Sequence, residues 1–328
     1  MTEPDAPYHR DALERAILGA GPTLTNEQVA AASGIDLADA RRLWRALGFP
    51  DAGEHPAFTP ADLDALTTVM GAVDSGAVDF DTAVRLTRAL GQTMARLADW
   101  EVATLVPLVE RLEVSEEATG SRIGSALRLL ESVGVPFEAL MVYAWRRHLA
   151  AAVSRVEALG ASDADLHTIR LTVGFADLVA FTALSNELDE DGIGDLVEIF
   201  ESRCADVVAG HGGRVIKTLG DSVLFVADEP DRAMDIALAV VSVIGRDKRM
   251  PDVRIGLAWG SVVTRMGDVY GRPVNLAARL TAVARRNRVI TDLDTAGRLS
   301  ADRFDTQAMP PRPLRGFGVM QPVAVRLR

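Results

Sequence analysis

The hydrophobic period changes once along the chain, near residue 160, and no other feature limits the possible folds as much. Before that point apolar residues recur at helical spacing. After it, short apolar runs alternate with helical stretches and turn residues. Residues 1–160 therefore predict an all-α domain, and residues 166–328 an α+β domain. The small and polar run Gly160-Ala161-Ser162-Asp163-Ala164-Asp165 is the expected linker between them.

Capping residues divide the helical half. Thr25 is expected to cap a helix through Ala32, Gly34 to make a turn, and Asp36 to cap a second helix through Leu47. Thr59-Pro60 opens a helix to about Val73. Phe80–Leu97, Trp100–Leu112 and Ser121–Val133 continue the pattern. Pro136 then precedes a longer helix, Phe137 to about Leu159, with Val142, Trp145, Leu149 and Val153 near one face. Residues 25–49 have helix-turn-helix spacing, and the second helix bears Arg41, Arg42 and Arg45, somewhat like the start of the MerR regulator family. Charge opposes a DNA partner. Residues 1–160 hold 14 arginines and no lysine against 23 acidic residues, a net of −9. A regulatory module that packs against protein is the preferred reading, and a DNA-binding regulator with a non-catalytic ATP-binding module the competing one.

In the second half, Leu171–Phe175 reads as a strand, Gly192–Ala209 as an amphipathic helix, and Arg214–Leu219 with Ser222–Val226 as a hairpin turning at Gly220-Asp221. Asp231–Gly245 reads as a helix, Val253–Ala258 as a strand, Val274–Ala284 as a helix, and Arg288–Thr291 and Val323–Leu327 as strands. The order fits a ferredoxin-like core with additions. Asp177 follows the first strand and Asp221 sits in the hairpin turn. Either alone is an ordinary helix cap or turn residue. Together, on neighbouring strands, they would bring two like charges into one place and call for a cation, as a pair of Mg²⁺ or Mn²⁺ ions in two-metal phosphoryl chemistry would supply.

Five separated stretches carry a family resemblance. They are Phe175-x-Asp177-x-x-x-Phe181-Thr182, Gly213 to Asp221, Arg254-Ile255-Gly256-Leu257-Ala258-Trp259-Gly260, Gly267-Asp268-Val269-Tyr270-Gly271, and Val274-Asn275-Leu276-Ala277-Ala278-Arg279. In this order they resemble the class III adenylyl/guanylyl cyclases over about residues 168–328. The resemblance implies that Asp177 and Asp221 are ligands for two Mg²⁺ or Mn²⁺ ions per active site. It implies that Lys217 and Asp268 select adenine, hence ATP rather than GTP, and that a guanylate cyclase is the closer alternative. Asn275 would position the ribose, Arg279 would stabilise charge on the α-phosphate, and Arg315 would contact the triphosphate. Backbone amides from Leu178 to Thr182 are further expected phosphate contacts. With one catalytic domain per chain, the resemblance implies a head-to-tail homodimer with composite active sites. Asp177 and Asp221 would come from one protomer, and Lys217, Asp268, Asn275 and Arg279 from the other.

The remaining features are plainer. Cys204 is the sole cysteine and lies on an apolar helix face, which predicts core packing and excludes an intramolecular disulfide. His211 beside Gly212-Gly213 reads as a turn residue, and Arg285-Arg286-Asn287-Arg288 as a solvated helix end. No apolar run reaches the length of a membrane span, and the acidic start lacks a signal-peptide core, which predicts a cytoplasmic protein. His148 and His167 flank the expected junction and are candidates for a protonation switch, with plain surface histidines as the simpler reading.

Overall fold

The computed structural model describes residues 15–115, 118–158, 168–186, 188–265 and 267–328. The expected linker at 160–165 and His167 lie outside the described residues. The chain divides into two units between Ala151 and Ala152.

The first unit is helical. Helix α1 (Asn26–Ala32) begins at Thr25, whose side chain and that of Gln28 cap each other's backbone amides. Asp36 caps α2 (Leu37–Leu47) through the Ala38 amide at 2.7 Å. Thr59 precedes α3 (Pro60–Asp74), with Pro at the first helical position. Val29, Ala40, Leu43, Trp44, Phe58, Leu66 and Val84 form this unit's core. The helix-turn-helix outline is present, but two of the basic residues of α2 are engaged by carboxylates. Arg42 contacts Asp81 at 2.9 Å and Asp39 at 3.3 Å and lies over the Phe80 ring, while Arg45 reaches Asp51 at 3.9 Å.

Two expected helix breaks are absent. Phe80–Leu97 and Trp100–Leu112 belong to one helix, α4 (Phe80–Glu113), because Ala98-Asp99 contains no breaking residue. The helices expected on either side of Pro136 are likewise one helix, α5 (Arg122–Ala158). A proline removes one helical amide donor, and here no turn-forming residues follow it to redirect the chain.

The second unit is built on an eight-stranded sheet in the order β2-β3-β1-β4-β6-β10-β7, with β5 paired to β4. Its strands are β1 (Thr168–Leu178), β2 (Arg214–Leu219), β3 (Ser222–Ala227), β4 (Val253–Arg265), β5 (Asp268–Tyr270), β6 (Arg288–Thr291), β7 (Phe304–Ala308) and β10 (Val323–Leu327). A separate hairpin pairs β8 (Arg312–Leu314) with β9 (Gly318–Met320). Among the described residues only β4 and β6 pair in parallel. Side chains alternate across the sheet, as the pleat requires. Ala176, Leu178, Val223, Phe225, Ile255 and Leu257 face α7 (Glu190–Gly210) and α8 (Pro230–Gly245) in one core layer. Leu171, Val173, Leu224, Val226, Ala258 and Val262 face α9 (Arg272–Val283) in the other. Short helices α6 (Phe181–Ser185) and α10 (Leu293–Ala296) complete the unit. Cys204 is in the first layer, where burial pushes its thiol up to about 12, with Glu201 adding to the shift. His211 ends α7, its ring against the Val207 carbonyl at 2.8 Å.

Candidate active site

Three adjacent strands, β3, β1 and β4, bring the first group of polar side chains together. Asp177 is the penultimate residue of β1, opposite Ser222 on β3 and Arg254 on β4. The Ser222 hydroxyl donates to one Asp177 oxygen. The Arg254 guanidinium donates to the other through two nitrogens, at 2.7 and 2.6 Å, and its remaining terminal nitrogen donates to the Ala282 carbonyl near the end of α9 at 3.3 Å. Asp221 follows Gly220, whose φ of 64° makes the tight turn between β2 and β3. The Leu178 amide donates to the Asp221 carbonyl at 3.0 Å, which ties this turn to the end of β1.

These contacts divide the charge unequally. Among the described residues Asp221 makes no ion pair, and burial together with the Asp177 charge pushes its carboxyl above the usual carboxylate range. A cavity of about 200 Å³ lies here, lined by Phe175, Asp177, Leu219, Ser222, Arg254, Ala278, Thr281 and Ala282. Among the described residues no cluster of three or more His, Cys, Asp or Glu side chains surrounds it or any other point. Two hard carboxylates without a third protein ligand suit Mg²⁺ or Mn²⁺, which commonly take one or two carboxylates and complete their shell with water and substrate phosphates.

A second group lies on β2 and β5. The Lys217 ammonium contacts Asp268 at 2.5 Å, and a second Asp268 oxygen accepts from the Val269 amide at 2.8 Å. Burial alone would raise the Asp268 carboxyl. The Lys217 ammonium and the Val269 amide outweigh that effect and hold it below its ordinary value. Lys217 follows a register shift in β2, between Val215 and Lys217 in its pairing with β3.

Helix α9 supplies the third group. Leu276, Ala277 and Leu280 are buried on the sheet, whereas Asn275 and Arg279, one helical turn apart, are exposed on the same outer face. Arg315 is exposed in the turn between β8 and β9, and Arg272 at the start of α9 lies over Phe317 of that turn at 5.3 Å. Lys217, Asp268, Asn275, Arg279 and Arg315 do not line the cavity at Asp177. Within one chain the expected residues thus fall into a carboxylate group and, outside its cavity, the Lys217–Asp268 pair and the exposed α9 face.

Two features differ from the sequence reading. Arg254 and Ser222 were not singled out as site residues. Arg254 is visible in the Arg254-Ile255-Gly256 stretch, but its meaning depends on the β1–β4 register, which no local signal gives. The amides of Leu178 and Val179 are not open to phosphate, since they donate to the carbonyls of Asp221 and Asp252, the latter at 2.7 Å. The sheet's end and the adjoining loop use those donors before the chain turns at Ala180, whose φ is 60°.

Comparison with known proteins follows the same lines. Residues 167–325 match the adenylate and guanylate cyclase catalytic domain family. The chain is 40% identical to an adenylate cyclase of Streptomyces coelicolor, over 94% of this chain and 87% of that one. It is 36% identical to an adenylate cyclase of Glutamicibacter nicotianae, over 94% of this chain and 80% of the relative. Among solved structures, the catalytic core of a rhodopsin-guanylyl cyclase with converted specificity, in complex with ATPαS, is 25% identical. It covers 49% of this chain and 97% of its own, with a TM-score of 0.47.

Proposed function

The chain belongs to the adenylate and guanylate cyclase family, and from that premise we propose that it converts ATP to 3′,5′-cyclic AMP and pyrophosphate. The observation that carries the reading is the separation of two complementary groups within one chain. Asp177 lines a cavity that lacks any base-recognising group, and the turn carrying Asp221 is tied to the same end of β1, while Lys217, Asp268, Asn275 and Arg279 lie outside that cavity. A head-to-tail pair of chains completes both halves at once and gives two composite sites.

The residues divide the work by their chemistry. Asp177 and Asp221 would hold the divalent cations, which supply a lowered pKa for the ribose 3′-hydroxyl and charge neutralisation on the triphosphate. Lys217 donates to adenine N1 and Asp268 accepts from the exocyclic amine, so the pair reads adenine and opposes guanine. Asn275 orients the ribose for in-line attack on the α-phosphorus. Arg279, one turn later on the same exposed face, stabilises the negative charge that develops there as pyrophosphate leaves. Arg315 reaches the triphosphate from the β8–β9 turn. Residues 1–160 act as a regulatory domain that controls how the two catalytic domains meet.

Purified full-length protein incubated with ATP or GTP and Mn²⁺ tests this reading. Cyclic AMP and pyrophosphate from ATP, absent in Asp221→Ala, support it. No cyclic nucleotide at concentrations where sedimentation shows dimers refutes it. Among the described residues no helix is long and apolar enough to cross a membrane.

A further inference from the structure

We propose that Arg254 is an internal counter-ion for the Asp177 carboxylate, one that a divalent cation must displace, so that cation binding is coupled to binding of the nucleotide's polyphosphate. The proposal rests on the cyclase reading of the site and goes beyond it. Its basis is the occupancy of Asp177. One oxygen accepts from Ser222, and the other accepts two donors of a single guanidinium at 2.6 and 2.7 Å. Asp177 is 15% exposed and Arg254 31%, so water screens this pair only in part. Asp221, the other carboxylate, makes no ion pair among the described residues, although the Arg254 charge acts on it as well. A divalent ion approaching the two aspartates therefore meets one open carboxylate and one that is already neutralised.

Displacing the guanidinium leaves it half-buried against the Ala282 carbonyl near the C-terminal end of α9, without its two-donor carboxylate contact. Water alone replaces a two-donor carboxylate contact poorly, whereas a polyphosphate presents several anionic oxygens in fork-matching geometry. The nucleotide thus provides the released guanidinium with a new acceptor, and the released Asp177 provides the cation with a second ligand. By linkage each favours the other. A plain cross-strand ion pair would stabilise the sheet edge and have no such consequence.

Mn²⁺ binding, followed by loss of the free-ion electron paramagnetic resonance signal, distinguishes these cases without turnover. The probes are Mn²⁺ alone and Mn²⁺ with 3′-deoxyATP, which lacks the attacking hydroxyl. Removing the competing guanidinium in Arg254→Met is expected to tighten binding of Mn²⁺ alone by about tenfold, the scale of a charge-assisted contact. The factor by which 3′-deoxyATP improves Mn²⁺ affinity should shrink by a similar amount. Arg254→Lys keeps the charge but not the two-donor fork, and should fall between the two chains. If Arg254→Met binds Mn²⁺ alone no more tightly than the natural chain, while both keep their circular dichroism and bind Mn²⁺ with 3′-deoxyATP, the guanidinium does not compete and the proposal is overturned. If Arg254→Lys matches the natural chain in both measurements, charge alone explains the effect and displacement is refuted. If the natural chain binds neither probe, the cyclase reading itself falls, and this proposal with it.

Discussion

Gly256 offers a direct test of how the sheet positions α9, which carries Asn275 and Arg279. It lies on β4 opposite Phe175 of β1, beneath α9. Its φ is not in the left-handed region, so alanine meets no backbone objection. Space is the obstacle. A Cβ there would stand 2.4 Å from the Thr281 amide nitrogen, 2.5 Å from the Ala277 carbonyl oxygen and 2.6 Å from the Thr281 hydroxyl. Two of those atoms are helix backbone and cannot rotate away. Since ordinary contact begins near 3.4 Å, Gly256→Ala must push α9 off the sheet by about 1 Å. The retreat stretches the Thr281 hydroxyl's bond to the Phe175 carbonyl, now 3.2 Å. It also moves Asn275 and Arg279, which α9 carries on its opposite face. Overpacking of this kind costs about 1–3 kcal/mol, which in a unit of this size lowers the melting temperature by roughly 2–12 °C. A displacement of about 1 Å in a positioning element can cost on the order of 10²-fold in rate. Thermal melts and initial rates of cyclic AMP formation at saturating ATP and Mn²⁺ measure the two effects. Gly194→Ala, on α7 where a Cβ meets nothing within 4 Å, is the control and should be neutral or slightly stabilising. A Gly256→Ala chain that melts and turns over like the natural one would refute the claim that this close approach sets the helix position.

Mixing two inactive chains, Asp221→Ala and Lys217→Ala, should restore about a quarter of the natural activity, since half the dimers are then mixed and each mixed dimer keeps one intact site; mixtures no more active than their components exclude composite sites. Lys217→Met removes the donor to adenine and leaves Asp268 without its ammonium, so kcat/KM for ATP should fall by about 10²-fold and the ATP-over-GTP ratio with it; an unchanged ratio would mean that selection resides elsewhere. Asp247 is held well below the usual carboxylate range by hydrogen bonds from Arg249, side chain and backbone, and from Arg203. A depressed carboxylate stabilises the fold above its unfolded pKa of about 3.9 and loses that contribution as pH falls through the lower folded value. Asp247→Asn should therefore lower the melting temperature at pH 7, with the gap closing in acid, and a gap that does not change with pH would count against the pairing.

The parts of this fold that could be read from sequence were those set by local chemistry. Thr25, Asp36 and Thr59-Pro60 announced helix starts, because a cap is decided within a few residues. The β2–β3 hairpin and the presentation of Asp221 followed from Gly220 in the same way. What escaped was decided by partners distant in sequence. The strand expected to end at Ala258 continues to Arg265 because it pairs with β1 on one side and β5 on the other. The short strands β7, β8 and β9 carry Gln307, Pro313 or Gly318 rather than a continuous apolar run, and exist through pairing alone. Arg254 was in view but silent, since only a β1–β4 register that sets residue 177 against residue 254 gives it a role.

That register also bears on why the site should need two chains. Lys217 and Asp221 are four residues apart, yet the shift in β2 and the turn at Gly220 send them to different partners, Lys217 to Asp268 and Asp221 to the end of β1 beside Asp177. Within one chain, Arg254 neutralises Asp177 and Lys217 neutralises Asp268, so the strongest charges of each group are already satisfied. Asp221, Arg279 and Arg315 make no ion pairs among the described residues. These groups have the most to gain from a nucleotide and its cations, and they lie on separate elements: a hairpin turn, a helix face and a second hairpin. Simultaneous contact with one triphosphate requires that the elements face one another, and a head-to-tail dimer provides this arrangement twice. Dimer formation alone would leave both internal pairs intact. In the proposed mechanism the polyphosphate and the adenine would supply Arg254, Lys217 and Asp268 with new partners, so the electrostatic gain on binding would depend on presenting both ends of the nucleotide together.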